Sequence, residues 1–115
     1  MFSVSDERFE ELVQDALASL PDNFAAAVDN VAIVIDGTSP VGQVAGLYEG
    51  IPITRRDSYS YSGVMPDKIT LFKNTICASC QSEDEVRSEV RITVLHEIGH
   101  YFGIDDRRLH ELGWG

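Results

Sequence analysis

The chain has 115 residues, which suits one domain with a real hydrophobic core but is too few for two ordinary domains. Its 43% hydrophobic and 24% charged residues argue against a fibrous or disordered chain, and we expect a single domain over residues 1–115. A net charge of −10 argues against nucleic acid and membrane as partners, because phosphate backbones and anionic lipids are also negative. With no signal peptide and no long apolar run, a cytoplasmic location is expected.

The N-terminal part of the chain predicts two helices and one strand. Apolar residues recur with helical spacing from Ser5 to Leu20, where Ser5 supplies a cap and Pro21 ends the helix. The segment 21–30 fits one short second helix. The continuous apolar run 31–35, closed by an Asp-Gly turn signal, predicts a buried strand.

The middle of the chain, residues 38–68, is rich in Gly, Pro, Ser and Tyr. It contains strand-like pieces at 44–50 and 51–54 and a turn signal at 65–68. The apolar run 69–72 then predicts another strand.

Two cysteines, Cys77 and Cys80, follow this strand. A four-cysteine zinc site needs a second pair, which the chain lacks. A redox dithiol stays open as an alternative, because a strand precedes the pair and a helix follows it. We favour two small residues in a connecting turn.

A helix over residues 83–102 is the element that the sequence specifies best. Ser82 and Glu85 form a capping box at its start, and valine or isoleucine recurs every four residues along it. Its last part reads HEIGH, with His96 and His100 four residues apart. At that spacing both imidazoles project from one side of the helix and can close on a single metal ion.

The H-E-x-x-H pattern predicts a zinc site with hydrolytic chemistry. Two neutral imidazoles and one further protein ligand leave a fourth position for water, which loses its proton near neutral pH when bound to zinc. Glu97, beside the first histidine, is expected to accept that proton and pass it to the leaving amine. The competing interpretation is that both histidines are ordinary helix residues, and the strong helix beneath the motif argues against it.

Asp106 is the predicted third ligand. Gly103 can take the left-handed conformation that ends a helix, which lets the chain reverse towards the histidines. Asp106 lies six residues after His100, the offset of the final histidine in H-E-x-x-H-x-x-G-x-x-H. Asp105 lies one residue short of that offset, so we assign it to solvent or to a cap. His110 is assigned a supporting or surface position on a short final helix.

The stretch HEIGHYFGIDD, residues 96–106, followed by LHELGW, residues 109–114, resembles the minimal-zincin family of predicted bacterial zinc metallopeptidases. The stretches GLYEGIPITRR and YSGVMPDKITLF look like the middle section of that family, so the resemblance covers residues 44–114. It implies an α+β fold, a compact metzincin-like domain in which a small mixed sheet packs on the active-site helix beside an N-terminal helix. It also implies a peptidase-like activity with zinc bound by His96, His100 and Asp106.

In zincins an extended substrate pairs with an edge strand, so a peptide or protein substrate is expected along residues 46–54. The adjacent loop contains side chains that could stabilise an oxyanion, namely Arg55, Arg56, Tyr59 and Tyr61. Trp114, or Leu112 beside it, could form an apolar floor near the metal, but we favour the interpretation that Trp114 covers the core.

Two other functions stay open. A zinc-stabilised protein-binding module without proteolytic activity is suggested by the short stretch of nine residues after Asp106. A small metal-dependent endoribonuclease is disfavoured, because a third histidine at the required spacing is missing and the chain is strongly acidic.

Overall fold

A computed structural model describes residues 2–40, 42–50 and 67–114, and these residues form five helices and three strands. In chain order the elements are α1 (Asp6–Ala18), α2 (Asp22–Val28), β1 (Val31–Asp36), β2 (Gly46–Glu49), β3 (Asp67–Phe72), α3 (Lys73–Ala78), α4 (Glu83–Tyr101) and α5 (Asp106–Glu111). The predicted α+β class is confirmed. Within the described residues, no helix is both long and apolar enough to cross a lipid bilayer.

Some predictions fall on residues that the structure does not describe. These are the strand at 51–54, the first half of the turn signal at 65–68 and the loop side chains Arg55, Arg56, Tyr59 and Tyr61. They stay predictions from sequence.

The three strands form one small mixed sheet in the order β1-β3-β2. β1 runs parallel to β3, with Val31 beside Asp67, and β2 runs antiparallel to β3, with Gly46 beside Leu71. β3 begins two residues earlier than the apolar run predicts, because Asp67 and Lys68 pair with the first residues of β1. The mixed sheet implied by the family resemblance is therefore present.

Among the strands that the structure describes, β1 lies at one edge of the sheet, and it is not the buried strand that its apolar sequence predicts. Val31, Ile33 and Ile35 are buried or half-buried, whereas the residues between them are exposed, and Val34 is 39% exposed. A continuous apolar run is typical of strands covered on both faces. The prediction was wrong because only alternate side chains of β1 are covered.

α1 begins as predicted but ends earlier. The hydroxyl of Ser5 accepts a hydrogen bond from the backbone N–H of Arg8 at 3.1 Å, which caps the first turn. The helix ends at Ala18, two residues before the predicted end, because the backbone N–H groups of Ser19 and Leu20 bond to carbonyls three residues earlier.

α4 is the central helix and carries the HEIGH segment. The hydroxyl of Ser82 accepts a hydrogen bond from the Glu85 N–H at 3.2 Å, as the capping box predicts. Arg8 of α1 donates to both carboxylate oxygens of Glu83 at 3.0 and 2.7 Å, joining the starts of the two helices. The four residues of the apolar repeat on α4 are completely buried: Val86, Val90, Val94 and Ile98. Burial of each such side chain stabilises the folded state by about 1.5–3 kcal/mol. This burial fixes the position of α4 against α1 and the sheet.

The prediction of a connecting turn is correct for Cys80, which lies between α3 and α4, and wrong for Cys77. Cys77 is in α3, Cys80 follows two residues after its end, and both thiols are free and buried. Burial raises the pKa of both thiols, which disfavours the reactive thiolate. The burial of both thiols and the raised pKa values indicate that the two cysteines are small core side chains and not a redox dithiol.

Candidate active site

The two histidines of HEIGH lie on the same side of α4, one turn apart. The ring centroids of His96 and His100 are 4.8 Å apart, and both side chains are about one-third exposed, at 30% and 33%. Glu97 lies beside them and is only 6% exposed. One ligand atom from each of these three residues lies within 4.8 Å of the other two. The three residues could therefore hold a metal ion.

Asp106 faces both imidazoles from the start of α5. Its Oδ1 atom lies 2.9 Å from Nε2 of His100 and 3.6 Å from Nε2 of His96. Zinc binds nitrogen and carboxylate oxygen at about 2.0–2.2 Å, so two donors on a tetrahedral ion lie about 3.4 Å apart. The longer separation fits, and the shorter one has to widen by about 0.5 Å. The Asp106 side chain can make that movement because it is 81% exposed.

The charge of Asp106 also suits a ligand. Its hydrogen bond with His100 lowers the pKa of the Asp106 carboxyl, which favours the carboxylate form that a metal requires. The chemistry of this donor set, two imidazole nitrogens and a carboxylate oxygen with space for water, fits a zinc ion.

A glycine reversal at the end of α4 brings Asp106 back to the histidines. Gly103 has a φ of +77°, in the left-handed region. Its N–H donates to the His100 carbonyl at 2.9 Å, and the Ile104 N–H donates to the Gly99 carbonyl at 2.9 Å. These bonds form a Schellman motif, the helix ending that favours glycine at this position.

One contact caps α5, and another packs it against α4. The Asp105 carboxylate accepts a hydrogen bond from the Arg108 N–H at 2.9 Å and caps α5, one of its two predicted assignments. Leu109 is completely buried, and a Cβ atom on Gly99 would overlap the Leu109 side chain. The glycine of HEIGH therefore gives α5 room to pack on α4. His110, also on α5, is exposed.

The backbone of β2 contacts the side chain of Glu97 on the side of the strand that faces away from β3. The Phe72 N–H donates to the Ala45 carbonyl at 2.9 Å, which makes this a hydrogen-bonded pair of the antiparallel ladder. Such pairs alternate along the ladder, so the backbone groups of Gly46 and Tyr48 point away from β3. The Tyr48 N–H donates to the Glu97 carboxylate. This backbone contact orients the carboxylate.

The second oxygen of Glu97 is poorly satisfied. Among the described residues Oε2 has no hydrogen-bond partner, and it lies 3.4 Å from Nδ1 of His100. Burial raises the pKa of Glu97, although the His100 and His96 imidazoles and the Tyr48 N–H act in the opposite direction. An unsatisfied buried polar group costs about 1–3 kcal/mol, so a stability argument does not explain this carboxylate. Burial with a free oxygen suits a proton acceptor.

The backbone of Trp114 makes a contact that the sequence analysis missed. Its carbonyl lies 3.1 Å from Nδ1 of His96. Because a carbonyl only accepts, Nδ1 carries the proton, and in the neutral form of the ring the lone pair is on Nε2, the atom that faces Asp106. The Trp114 ring is half-buried against the core, as predicted. The sequence feature that could have predicted this contact is Gly113, a glycine two residues after the end of α5.

A cleft of about 530 Å³ opens beside His96 and Glu97. One wall is the segment 43–46, which includes the start of β2. The other lining residues belong to α4 and to the C-terminal turn: Glu89, Ile92, Thr93, Gly113 and Trp114. The backbone of β2 that points away from β3 therefore borders a space next to Glu97, and the volume is typical of a ligand cleft.

Comparison with known proteins places these features in a family. The sequence model of the zincin-like metallopeptidase family matches residues 23–114, which include all of α2 except its first residue, the sheet and the segment from His96 to Trp114. A comparison with curated proteins found no significant match. The family implies a bound metal, usually zinc, and His96, Glu97 and His100 form a possible metal site. The chain therefore belongs to the zincin-like metallopeptidase family.

Proposed function

We propose that the protein is a zinc-dependent peptidase in which Glu97 is the general base and the general acid. The observation that carries the proposal is the environment of Glu97, a carboxylate that is 6% exposed beside two imidazoles. Its Oε2 atom has no hydrogen-bond partner among the described residues. An apolar side chain of similar size would pack there at a lower desolvation cost, so chemistry explains the carboxylate better than stability does.

His96 and His100 are proposed to hold zinc through Nε2, together with Oδ1 of Asp106. When bound, zinc acts as a Lewis acid and makes water a nucleophile near neutral pH. Glu97 accepts one proton from the water whose oxygen attacks the peptide carbonyl carbon. It then donates that proton to the amide nitrogen as the C–N bond breaks. The Tyr48 N–H holds the carboxylate in place during both transfers.

We propose that a peptide or protein substrate lies along residues 46–54, of which 46–50 are described. The cleft beside His96 and the outward direction of the Gly46 backbone support this placement. An extended chain can pair with such an edge by β-augmentation. Since Glu97 contacts the same edge through Tyr48, pairing brings a substrate carbonyl next to the carboxylate.

Replacement of Glu97 by glutamine tests the proposed chemistry. The Glu97→Gln protein should retain about one zinc per chain, because Glu97 is not a proposed ligand. Its cleavage of a peptide library should fall by about 10²–10⁴-fold, the usual contribution of general acid-base catalysis. Glu111→Gln is the matched control, since the Glu111 side chain on α5 is 53% exposed, and it should cleave like the wild type.

Two outcomes would contradict the proposal. Cleavage by Glu97→Gln at the wild-type rate would show that Glu97 is not the base. A wild-type protein that binds zinc but cleaves no peptide would favour the zinc-stabilised binding module instead.

The ligand set is tested by measuring zinc content in two aspartate variants. Asp106→Ala should lose zinc because it removes a proposed ligand. Asp105→Ala should retain zinc. It removes only the cap of α5, which should lower the free energy of unfolding by about 1 kcal/mol. Loss of zinc in the Asp105 variant alone would overturn the assignment.

The substrate position is tested with an extended peptide hydroxamate methylated at one backbone nitrogen at a time. Methylation at a nitrogen that pairs with β2 should weaken binding by about 2- to 12-fold, the equivalent of 0.5–1.5 kcal/mol for one hydrogen bond. Alternate nitrogens point away from β2 and serve as internal controls. Equal binding of all methylated peptides would contradict the pairing.

A further inference from the structure

We infer that the turn formed by Gly113 and Trp114 is a positioning element for the metal site, which fixes the tautomer of His96 and thereby sets the affinity for zinc. The inference rests on the proposed zinc site but concerns residues outside its ligand set. It begins from the 3.1 Å contact between the Trp114 carbonyl and Nδ1 of His96.

The backbone of this turn is fixed by α5. Gly113 has a φ of +82°, its N–H donates to the His110 carbonyl at 3.0 Å, and the Trp114 N–H donates to the Leu109 carbonyl at 2.9 Å. This is a second Schellman motif, with the same bonds that end α4. The two hydrogen bonds hold the backbone nitrogen of Trp114 in place, and the carbonyl of the same residue faces His96.

The side chain of Trp114 also holds the turn in place, through a ring contact with α2. Its ring meets the ring of Phe24 edge to face, with centroids 5.0 Å apart. Phe24 is 5% exposed and makes a similar contact with Phe102, the residue after α4, at 5.3 Å. The turn is therefore attached to α5 by its backbone and to α2 and the end of α4 by its ring. Such attachment limits the movement of the carbonyl relative to His96.

The two histidines are oriented by different partners. Nδ1 of His100 faces the Glu97 carboxylate at 3.4 Å, whereas Nδ1 of His96 faces a backbone carbonyl. Without that carbonyl, a neutral His96 could carry its proton on either nitrogen and its ring could turn. Zinc would then bind only the fraction of molecules in which Nε2 has a free lone pair and faces Asp106. Loss of a partner behind a metal ligand typically weakens metal binding by about 10- to 100-fold.

Gly113→Ala tests the inference, because alanine disfavours the left-handed conformation of the turn. Zinc affinity, measured by competition with a chromogenic chelator, should fall by about 10- to 100-fold. Gly42→Ala is the matched control. Gly42 has a φ of +86°, a Cβ atom at either glycine would meet nothing within 4 Å, and Gly42 does not line the cleft at His96. Gly113→Asn should recover most of the affinity, since asparagine tolerates this conformation.

A second readout needs no zinc. Nitrogen-15 NMR of the metal-free protein should show His96 protonated on Nδ1 in the wild type, in Gly42→Ala and in Gly113→Asn. Gly113→Ala should show a mixture of tautomers. If the wild type binds no zinc, the proposed function fails, while the NMR comparison still decides whether the turn fixes His96.

The inference is wrong if folded Gly113→Ala binds zinc as tightly as Gly42→Ala and keeps the same His96 tautomer. If Gly113→Ala does not fold, Trp114→Ala and Trp114→Phe give the same comparison. Phenylalanine can keep a ring contact with Phe24, so only the alanine variant should weaken zinc binding, by about tenfold. Equal affinities of these two variants would also overturn the inference.

Discussion

Replacing Gly99 with alanine should destabilise the protein, although alanine is the better helix former. The substitution gains about 1 kcal/mol in helix propensity. The new Cβ atom would overlap Leu109, whose Cγ and Cδ1 atoms would both lie 3.3 Å away, and Leu109 is completely buried and cannot turn into solvent. Overpacking costs about 1–3 kcal/mol, and a value of about 2 leaves a net loss of about 1 kcal/mol. For 115 residues that loss lowers Tm by about 4 °C.

The assay is urea denaturation with a chelator present, so that metal binding does not contribute to the free energy of unfolding. Leu109→Ala alone should cost about 2–5 kcal/mol. In the double variant the new Cβ atom occupies part of the vacated space, so the combined loss should be smaller than the sum by about 0.5–3 kcal/mol. Val86→Ala is the control partner, because Val86 lies 13 residues earlier on α4, about 20 Å along its axis.

The losses in the free energy of unfolding caused by Gly99→Ala and Val86→Ala should therefore add to within about 0.5 kcal/mol. Additive losses for the Gly99 and Leu109 pair as well would refute the packing argument. A Gly99→Ala protein more stable than the wild type would refute it directly.

Two further predictions concern pH. Arg8 lowers the pKa of Glu83 through their hydrogen bonds, so this contribution to stability is present above the unfolded pKa of about 4.3 and is lost as the pH falls through the folded pKa. Arg8→Met should lower the urea midpoint at pH 7 but much less at pH 3, and an equal decrease at both would contradict this. Burial raises the pKa of Cys77 and Cys80, so stability should fall as the pH rises above about 8.5. Substituting both cysteines with alanine should reduce the decrease in urea midpoint between pH 8 and pH 10; an unchanged decrease would show that the thiols do not cause it.

The sequence could predict that the proposed site residues lie close together, because local rules connect them. A capped helix places His96 and His100 on one side by spacing alone. Gly103 then predicts the reversal that brings Asp106 to them, and the structure has this reversal at a φ of +77°. No contact distant in sequence was needed for these steps.

The features that the sequence analysis missed depend on neighbours that are distant in sequence or on backbone atoms. The apolar run of β1 does not reveal that the strand lies at the edge of the sheet. Tyr48 holds Glu97 through an N–H group that every residue except proline possesses, so no side-chain pattern marks the contact. The same holds for the Trp114 carbonyl, although Gly113 marks the turn that carries it.

The contacts of the proposed site differ in how far apart their residues lie in the sequence, and this difference bears on the order in which they form. All three proposed zinc ligands and the turn behind His96 lie within residues 96–114, so the contacts among them are of low contact order and involve no residue of the sheet. The contact that orients Glu97 spans 49 residues, from Tyr48 to Glu97, and exists only once β2 has docked on α4. We therefore expect a partly folded chain with β2 detached to keep the proposed ligands together while the proposed base, Glu97, is misaligned. Zinc content alone would then overestimate the fraction of molecules that are competent for hydrolysis.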